Sequence, residues 1–171
     1  LKIKINISGK LFIRDNAKVS VFDSGFLLGD GIWEGLRLHK KKWVFFEDHI
    51  ERLFEALKLV EIKFEISKDQ IFQELEKTRL SNDMNTDVYA RFMVTRGKKT
   101  KPFQHPDFSI YGPTYVIIME HSKPSLKVSE RSLKLVTVPQ VRGLPMTQDP
   151  KLNSHSKLNC VLACIQANRV G

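Results

Sequence analysis

The spacing of apolar residues changes at Glu47 from every second position to a helical repeat, and that change limits the folds open to this chain. Before it, Lys2-Ile3-Lys4-Ile5-Asn6-Ile7 alternates polar and apolar residues, Ser8-Gly9 supplies a turn, and Leu11-Phe12-Ile13 resumes the run. That is the pattern of a β-hairpin. Leu38 to Phe46 repeats it around Lys40-Lys41-Lys42 and predicts a second hairpin. After it, Ile50, Leu53, Phe54, Leu57 and Val60 recur at helical spacing, with Glu47 and Asp48 favouring the positive end of a helix dipole. Hairpins followed by amphipathic helices build an α+β fold rather than a doubly wound sheet.

Further along, Ser67-Lys68-Asp69-Gln70 has the form of a capping box, and Ile71, Phe72 and Leu75 extend the predicted helix to about Leu80. Asp87 to Thr95 predicts a strand ending at Arg96-Gly97, and Lys98 to Gly112 a polar, proline-containing surface loop or lid. Tyr115 to Met119 suits a buried strand, and His121 to Glu130, with Pro124, is a linker candidate. Leu133, Leu135 and Val136 to Val138 predict another strand, Pro139 to Asn153 a loop, and Ser156 to Arg169 a helix. The expected organisation is an N-terminal α+β domain over 1–120, a linker over 121–130 and the start of an incomplete second domain over 131–171. Both ends, at Leu1 and at Gly171 just past a helix, are expected truncations.

With 171 residues, 42% hydrophobic and 27% charged, the chain can bury a full core. Its net charge of +9 suits a partner carrying phosphates or carboxylates, or simply a basic surface. No aromatic-interleaved basic stripe is present, which makes a nucleic-acid partner an unfavoured reading. Cys160 and Cys164 lie four apart on an apolar helical pattern without matching histidines, so they are expected to be core thiols in a reducing compartment and not metal ligands. No apolar run reaches the roughly 18 residues of a membrane span, and a cytoplasmic location is expected.

Several residues could carry chemistry. Asp23 to Arg37 holds Gly25, Gly29, Gly31 and Gly35 among bulky residues, a shaped turn that brings Trp33, Glu34 and Arg37 onto one strand. Residues 33, 35 and 37 share a face there, either walling a small-ligand pocket or forming a glycine-rich corner between hairpins. Arg52 interrupts the apolar face of its helix, so its guanidinium either snorkels outward or is held by an anion. Arg91 sits in an apolar strand, facing a carboxylate ligand or a solvated surface. Lys151 and Lys157 flank a loop-to-helix junction, where a partly buried amine can become a nucleophile toward a carbonyl compound, whereas a surface lysine cannot.

Together, "DSGFLLGDGIWEGLR", "FEDHIERLFEALKLVEI", "VYARFMVTRG" and "SKLNCVLACIQAN", in this order, resemble the N-terminal part of fold-type IV pyridoxal-phosphate enzymes. That class holds branched-chain and D-amino acid aminotransferases and aminodeoxychorismate lyase. The resemblance implies a two-layer α/β N-terminal domain followed by the start of a barrel-like one. It also implies pyridoxal 5'-phosphate as cofactor, an amino acid and a 2-oxo acid as substrates, and a homodimer. Arg52 in His49-Ile50-Glu51-Arg52-Leu53 matches the family's phosphate-binding arginine, and Trp33 takes the place of a pocket-lining aromatic, with Arg37 two residues on. Arg91 in Tyr89-Ala90-Arg91 is similar to the branched-chain type, while Lys101 and Phe103 stand where D-specific members carry Arg and His.

The lysine departs from the pattern. Aligning K-x-x-N-x-L-x-x-V-L-A on Leu158, Val161, Leu162 and Ala163 puts Asn153 where the Schiff-base lysine belongs. Lys157 shares that face if the helix begins early, and Lys151 does if the chain is extended; the gap-free register favours Lys157. A site without its lysine, binding without catalysing, is the third possibility. The implied activity is amino transfer, branched-chain type favoured, with a pyruvate-releasing lyase or a noncatalytic basic binding protein as alternatives.

Overall fold

A computed structural model describes residues 3–123 and 134–170. Strands β1 (Lys4–Ile7), β2 (Lys10–Ile13), β3 (Gly31–His39), β4 (Lys42–Val44), β5 (Val88–Thr95) and β6 (Thr114–His121) form one sheet in the order β2-β1-β6-β5-β3-β4. Every neighbouring pair is antiparallel. Helices α1 (Ser24–Leu28), α2 (Phe46–Leu59), α3 (Lys68–Ser81) and α4 (Leu158–Arg169) complete the regular structure. The mixed α+β expectation is met, with hairpins where alternation placed them.

The turns explain the hairpins. Ser8 and Gly9 have φ of 45° and 83°, and Lys40 and Lys41 have φ of 47° and 64°. Two successive left-handed residues match the right-handed twist of the strands they join. Lys42 consequently falls in β4, paired with His39, and not in the turn.

One face of the sheet carries the core. Ile32, Leu36 and Leu38 of β3, Ala90, Phe92 and Val94 of β5, and Ile117 and Met119 of β6 pack against Ile50, Leu53 and Leu57 of α2 and Ile71 and Leu75 of α3. The capping box is present: Ser67 Oγ accepts from Gln70 N, and Gln70 Oε1 accepts from Ser67 N. At the other end of the layer, Arg96 donates to both oxygens of Asp30 and to the carbonyls of Val60 and Glu61. One guanidinium thus supplies hydrogen bonds to carbonyls just past α2 that the helix itself leaves open.

Four expectations change. The glycine-rich turn contains a short helix, α1, capped by Asp23, whose carboxylate accepts from Gly25 N at 2.9 Å. Residues 134–138 have no regular structure, because no described strand lies alongside to complete a ladder; Leu133 and most of the expected linker lie outside the described residues. The last helix begins at Leu158, with Lys157 at its cap. Cys160 and Cys164 are exposed, since nothing among the described residues covers the apolar stripe of α4. Among the described residues, no helix is long and apolar enough to cross a membrane.

Leu53 is fully buried between α2 and the sheet. Leu53→Ala is expected to lower unfolding free energy by about 2–5 kcal/mol through lost transfer energy plus a residual cavity, read from urea unfolding curves.

Candidate active site

β3 sends alternate side chains to opposite faces. Its even positions enter the core, yet one of them is Glu34, buried among Ile32 and Leu36. A buried carboxylate is costly unless paired and hydrogen-bonded. α2 supplies the partners one turn apart. Arg52 Nε donates to Oε1 at 2.7 Å and Nη2 to Oε2 at 2.6 Å, while His49 Nδ1 lies 2.8 Å from Oε2. An ionised carboxylate only accepts, so the His49 proton sits on Nδ1. Burial alone would raise the Glu34 pKa, but the Arg52 and His49 hydrogen bonds and charges outweigh it and hold it below 4.5. Glu34 in turn raises the Arg52 pKa.

Glu34 is 1% exposed and Arg52 51%. Arg52 is therefore neither snorkelling freely nor waiting for an outside anion to fix it. It is pinned from beneath and half open from above, with Nη1 lacking an acceptor among the described residues. The open side lines a cavity of about 390 Å³ together with Glu55, Leu59, Asp149, Lys151 and Leu152. Asp149 Oδ1 accepts from Lys151 N at 2.9 Å, which shapes the turn that carries Lys151.

The odd positions of β3 build the other face. Trp33, Gly35 and Arg37 stand there with Tyr89 and Arg91 of β5, so the three expected substrate-side residues do share one surface. The Arg91 guanidinium lies 4.0 Å over the Trp33 ring centroid, and Lys157 Nζ lies 5.5 Å over the same ring. Arg37 Nη1 donates to the Ser122 carbonyl at 2.7 Å. The room left by Gly35 is filled by Tyr89: a Cβ on Gly35 would stand 3.0 Å from the phenol oxygen.

The segment before α4 joins this face through the backbone. β4 pairs only with Arg37 to His39, which leaves Gly31 to Trp33 open on that edge. Residues 153–155 occupy it: Trp33 N donates to Asn153 O at 2.8 Å, His155 N donates to Gly31 O at 2.9 Å, and Ile32 pairs with Ser154. Trp33 Nε1 also donates to Ser154 O at 3.2 Å. Gly31 is required by this approach, because a Cβ there would lie 2.7 Å from Val94 O and 3.1 Å from the His155 ring. His155 was not anticipated from the sequence, and neither were the roles of His49 and Tyr89. Burial pushes the His155 pKa below 6.5, aided by Arg91 and opposed by a backbone hydrogen bond at Ile32 and by Asp23 and Asp30; its Nε2 is buried without a partner among the described residues.

The two candidate lysines therefore separate. Lys151 lies with Arg52, and Lys157 lies with Trp33 and Arg91.

A family model described as amino-transferase class IV matches residues 31–171. Branched-chain-amino-acid aminotransferase-like protein 1 of Arabidopsis thaliana is 33% identical over 162 residues, 95% of this chain and 29% of the plant protein. A putative branched-chain-amino-acid aminotransferase of Methanocaldococcus jannaschii is 34% identical over 170 residues, 99% of this chain and 57% of the archaeal one. Among solved structures, the branched-chain aminotransferase of the thermophilic archaeon Thermoproteus uzoniensis with norvaline aligns with a TM-score of 0.82 at 22% identity, over 99% of this chain and 57% of that one. That is a likeness of fold. This chain spans little more than half the length of the Methanocaldococcus relative and under a third of the plant one.

Glu34→Gln is expected to destabilise the fold by about 2–3 kcal/mol in urea unfolding, less than the ~3–5 kcal/mol of a fully buried pair because Arg52 is half in water. A carboxyl held below its unfolded value contributes stability that is full above pH 4.5 and is lost as the pH falls through the lower folded value. The drop in melting temperature of the wild-type chain between pH 5 and pH 3 should accordingly shrink in Glu34→Gln.

Proposed function

The chain belongs to the class IV aminotransferase family, and from that membership we propose that it works in a pyridoxal-phosphate-dependent exchange of an amino group between a branched-chain-type amino acid and a 2-oxo acid. The observation that carries this reading is the pinned, half-open guanidinium of Arg52 at the rim of a cavity that Lys151 also lines. A phosphate needs a donor whose orientation is already set, and a guanidinium anchored by two of its N–H groups presents the rest in a fixed plane. An aldehyde needs an amine close to that phosphate site; Lys151 is the one in the same cavity, and because it is exposed here the bound cofactor itself would have to bury its amine. Arg52 and Lys151 would suit the two ends of the cofactor, with the carboxylates of Glu55 and Asp149 on the same cavity wall.

Each residue then has a task. Arg52 would hold the phosphate, with Glu34 and His49 orienting it from the core side. Lys151 Nζ would tether the cofactor and, once released by substrate, would take up and return a proton at its own nitrogen as general base and acid. When bound, pyridoxal phosphate supplies an aromatic electron sink for the bond cleavages at the substrate carbon. Trp33 and Tyr89 wall the substrate side, and Arg91 offers N–H groups to a carboxylate. The reading carries with it a homodimer, as the family resemblance implies, and the cytoplasmic location expected from the sequence.

Asn153 favours a second reading, binding without catalysis. It stands at the family's lysine position, and its carbonyl is engaged by Trp33 N.

Borohydride reduction of the protein with pyridoxal 5'-phosphate, followed by peptide mass spectrometry, separates the two. A reduced adduct on Lys151 is expected; an adduct on Lys157 would transfer the tether to that residue, and the absence of any adduct would favour binding alone. Arg52→Ala is expected to weaken cofactor binding at least about tenfold in absorbance titrations, since it removes a charge-assisted anchor. Amino transfer to 2-oxoglutarate, measured against release of pyruvate, distinguishes the transferase from a lyase.

A further inference from the structure

Among the described residues, His155 alone has a buried side-chain nitrogen without a hydrogen-bond partner. Its ring packs against two glycines. A Cβ on Gly25 of α1 would lie 3.2 Å from Nδ1, and one on Gly31 of β3 would lie 3.1 Å from Nδ1 and Cε1. Both positions give the imidazole room that a side chain would take. The backbone around the ring is what joins its segment to the sheet: His155 N donates to Gly31 O at 2.9 Å, Ser154 pairs with Ile32, and Asn153 O accepts from Trp33 N at 2.8 Å. Leu152 packs against the core cluster, and Lys151 follows at the cavity of Arg52. Seating the ring therefore fixes where the lysine stands.

The seat suits one charge state. A neutral imidazole carries one N–H and one bare acceptor nitrogen, whereas an imidazolium carries two donors. Nε2 has no partner, so the hydrogen bond at Ile32 belongs to Nδ1. A proton added at Nε2 would put a charged donor where no acceptor waits, and a buried charge left unanswered costs more than a bare lone pair. The charges facing the ring come from Asp23 at the cap of α1, Asp30 before β3 and Arg91 of β5. The two acids favour the proton, but Asp23 is engaged by Thr95 and the Gly25 amide and Asp30 by Arg96. Arg91 opposes the proton, and so does burial, which outweighs the acids. The ring is thus protonated more readily once the segment has left. Docking is at full strength above pH 6.5 and weakens as the pH falls from there through the lower docked value.

We propose that His155 is a positioning residue of the cofactor site: its uncharged ring, seated between Gly25 and Gly31, holds residues 151–155 on the edge of β3 with Lys151 beside Arg52, and a proton on that ring releases the segment. The assignment rests on the reading of Arg52 and Lys151 above and adds to it a dependence on acidity.

The test reads docking apart from cofactor chemistry. Trp33 reports on the segment, because its N and Nε1 donate to Asn153 O and Ser154 O. The chain has two tryptophans, so Trp43→Phe leaves Trp33 as the only indole. In that background, acrylamide quenching of the full chain is expected to rise at least about twofold from about pH 7.5 to about pH 5. His155→Gln, whose amide does not titrate, is expected to lose this pH dependence. No rise in the parent, or the same rise in His155→Gln, would overturn the proposal. If His155→Gln does not fold, the parent decides alone: deuterium exchange at His155 Cε1 gives the midpoint of that ring, and agreement with the quenching midpoint within about one pH unit supports the assignment while a wider gap sinks it. Borohydride labelling of Lys151 by pyridoxal 5'-phosphate is measured relative to exposed Lys41, so that the acidity dependence common to amines cancels. It is expected to fall at least about fivefold over the same range in the parent and to stay level in His155→Gln. A His155-dependent quenching transition without an adduct on Lys151 removes only the cofactor reading, while an adduct without the transition removes only this proposal.

Discussion

A carboxylate placed inside an apolar core must be answered by a cation, and in this protein the answer sets the position of everything near it. Glu34 belongs to the strand and Arg52 and His49 belong to the helix, so their hydrogen bonds join the two layers at one depth and one rotation. Hydrophobic contacts alone would let α2 slide, because Ile50, Leu53 and Leu57 are interchangeable to a first approximation. The bidentate pair is not interchangeable. It fixes the register of helix on sheet, and it engages the two N–H groups nearest the core so that the outer part of the guanidinium faces the cavity.

The same strand carries the second half of the site, by parity. Even residues of β3 enter the core and odd residues line the opposite face, so Glu34 reaches Arg52 while Trp33, Gly35 and Arg37 meet β5 and the segment before α4. The open edge at Gly31 to Trp33 is what brings that distant segment in. A sheet edge with unpaired donors and acceptors accepts another strand readily, and residues 153–155 take the place. Glycine at 31 serves both neighbours, since a Cβ there would collide with the Val94 carbonyl of β5 and crowd the His155 ring of the distant segment at 3.1 Å.

What could be read in advance was local. The two hairpins follow from alternation and turn residues, α2 and α3 from helical spacing and the capping box, and each depends on neighbours a few residues apart. Arg52 on an apolar helix face and Glu34 at a core position of an apolar strand were two misplaced charges of opposite sign, and that pairing was the signal available for the clamp. Strand and helix periods cannot announce whether a face is covered. The alternation at Leu135 to Val138 found no ladder, and the stripe bearing Cys160 and Cys164 found no partner among the described residues.

The chain's sequence by itself determined its class of fold, the hairpin and helix order, and the anomalous arginine, since all of these rest on interactions between residues near in the chain or on charges that apolar surroundings make conspicuous. Only the tertiary structure decided that Lys151 lies beside Arg52 and Lys157 beside Trp33. The two lysines stand on either side of a short extended segment, and it is the docking of that segment on β3, a long-range backbone pairing with no periodic trace, that sends their side chains to different places.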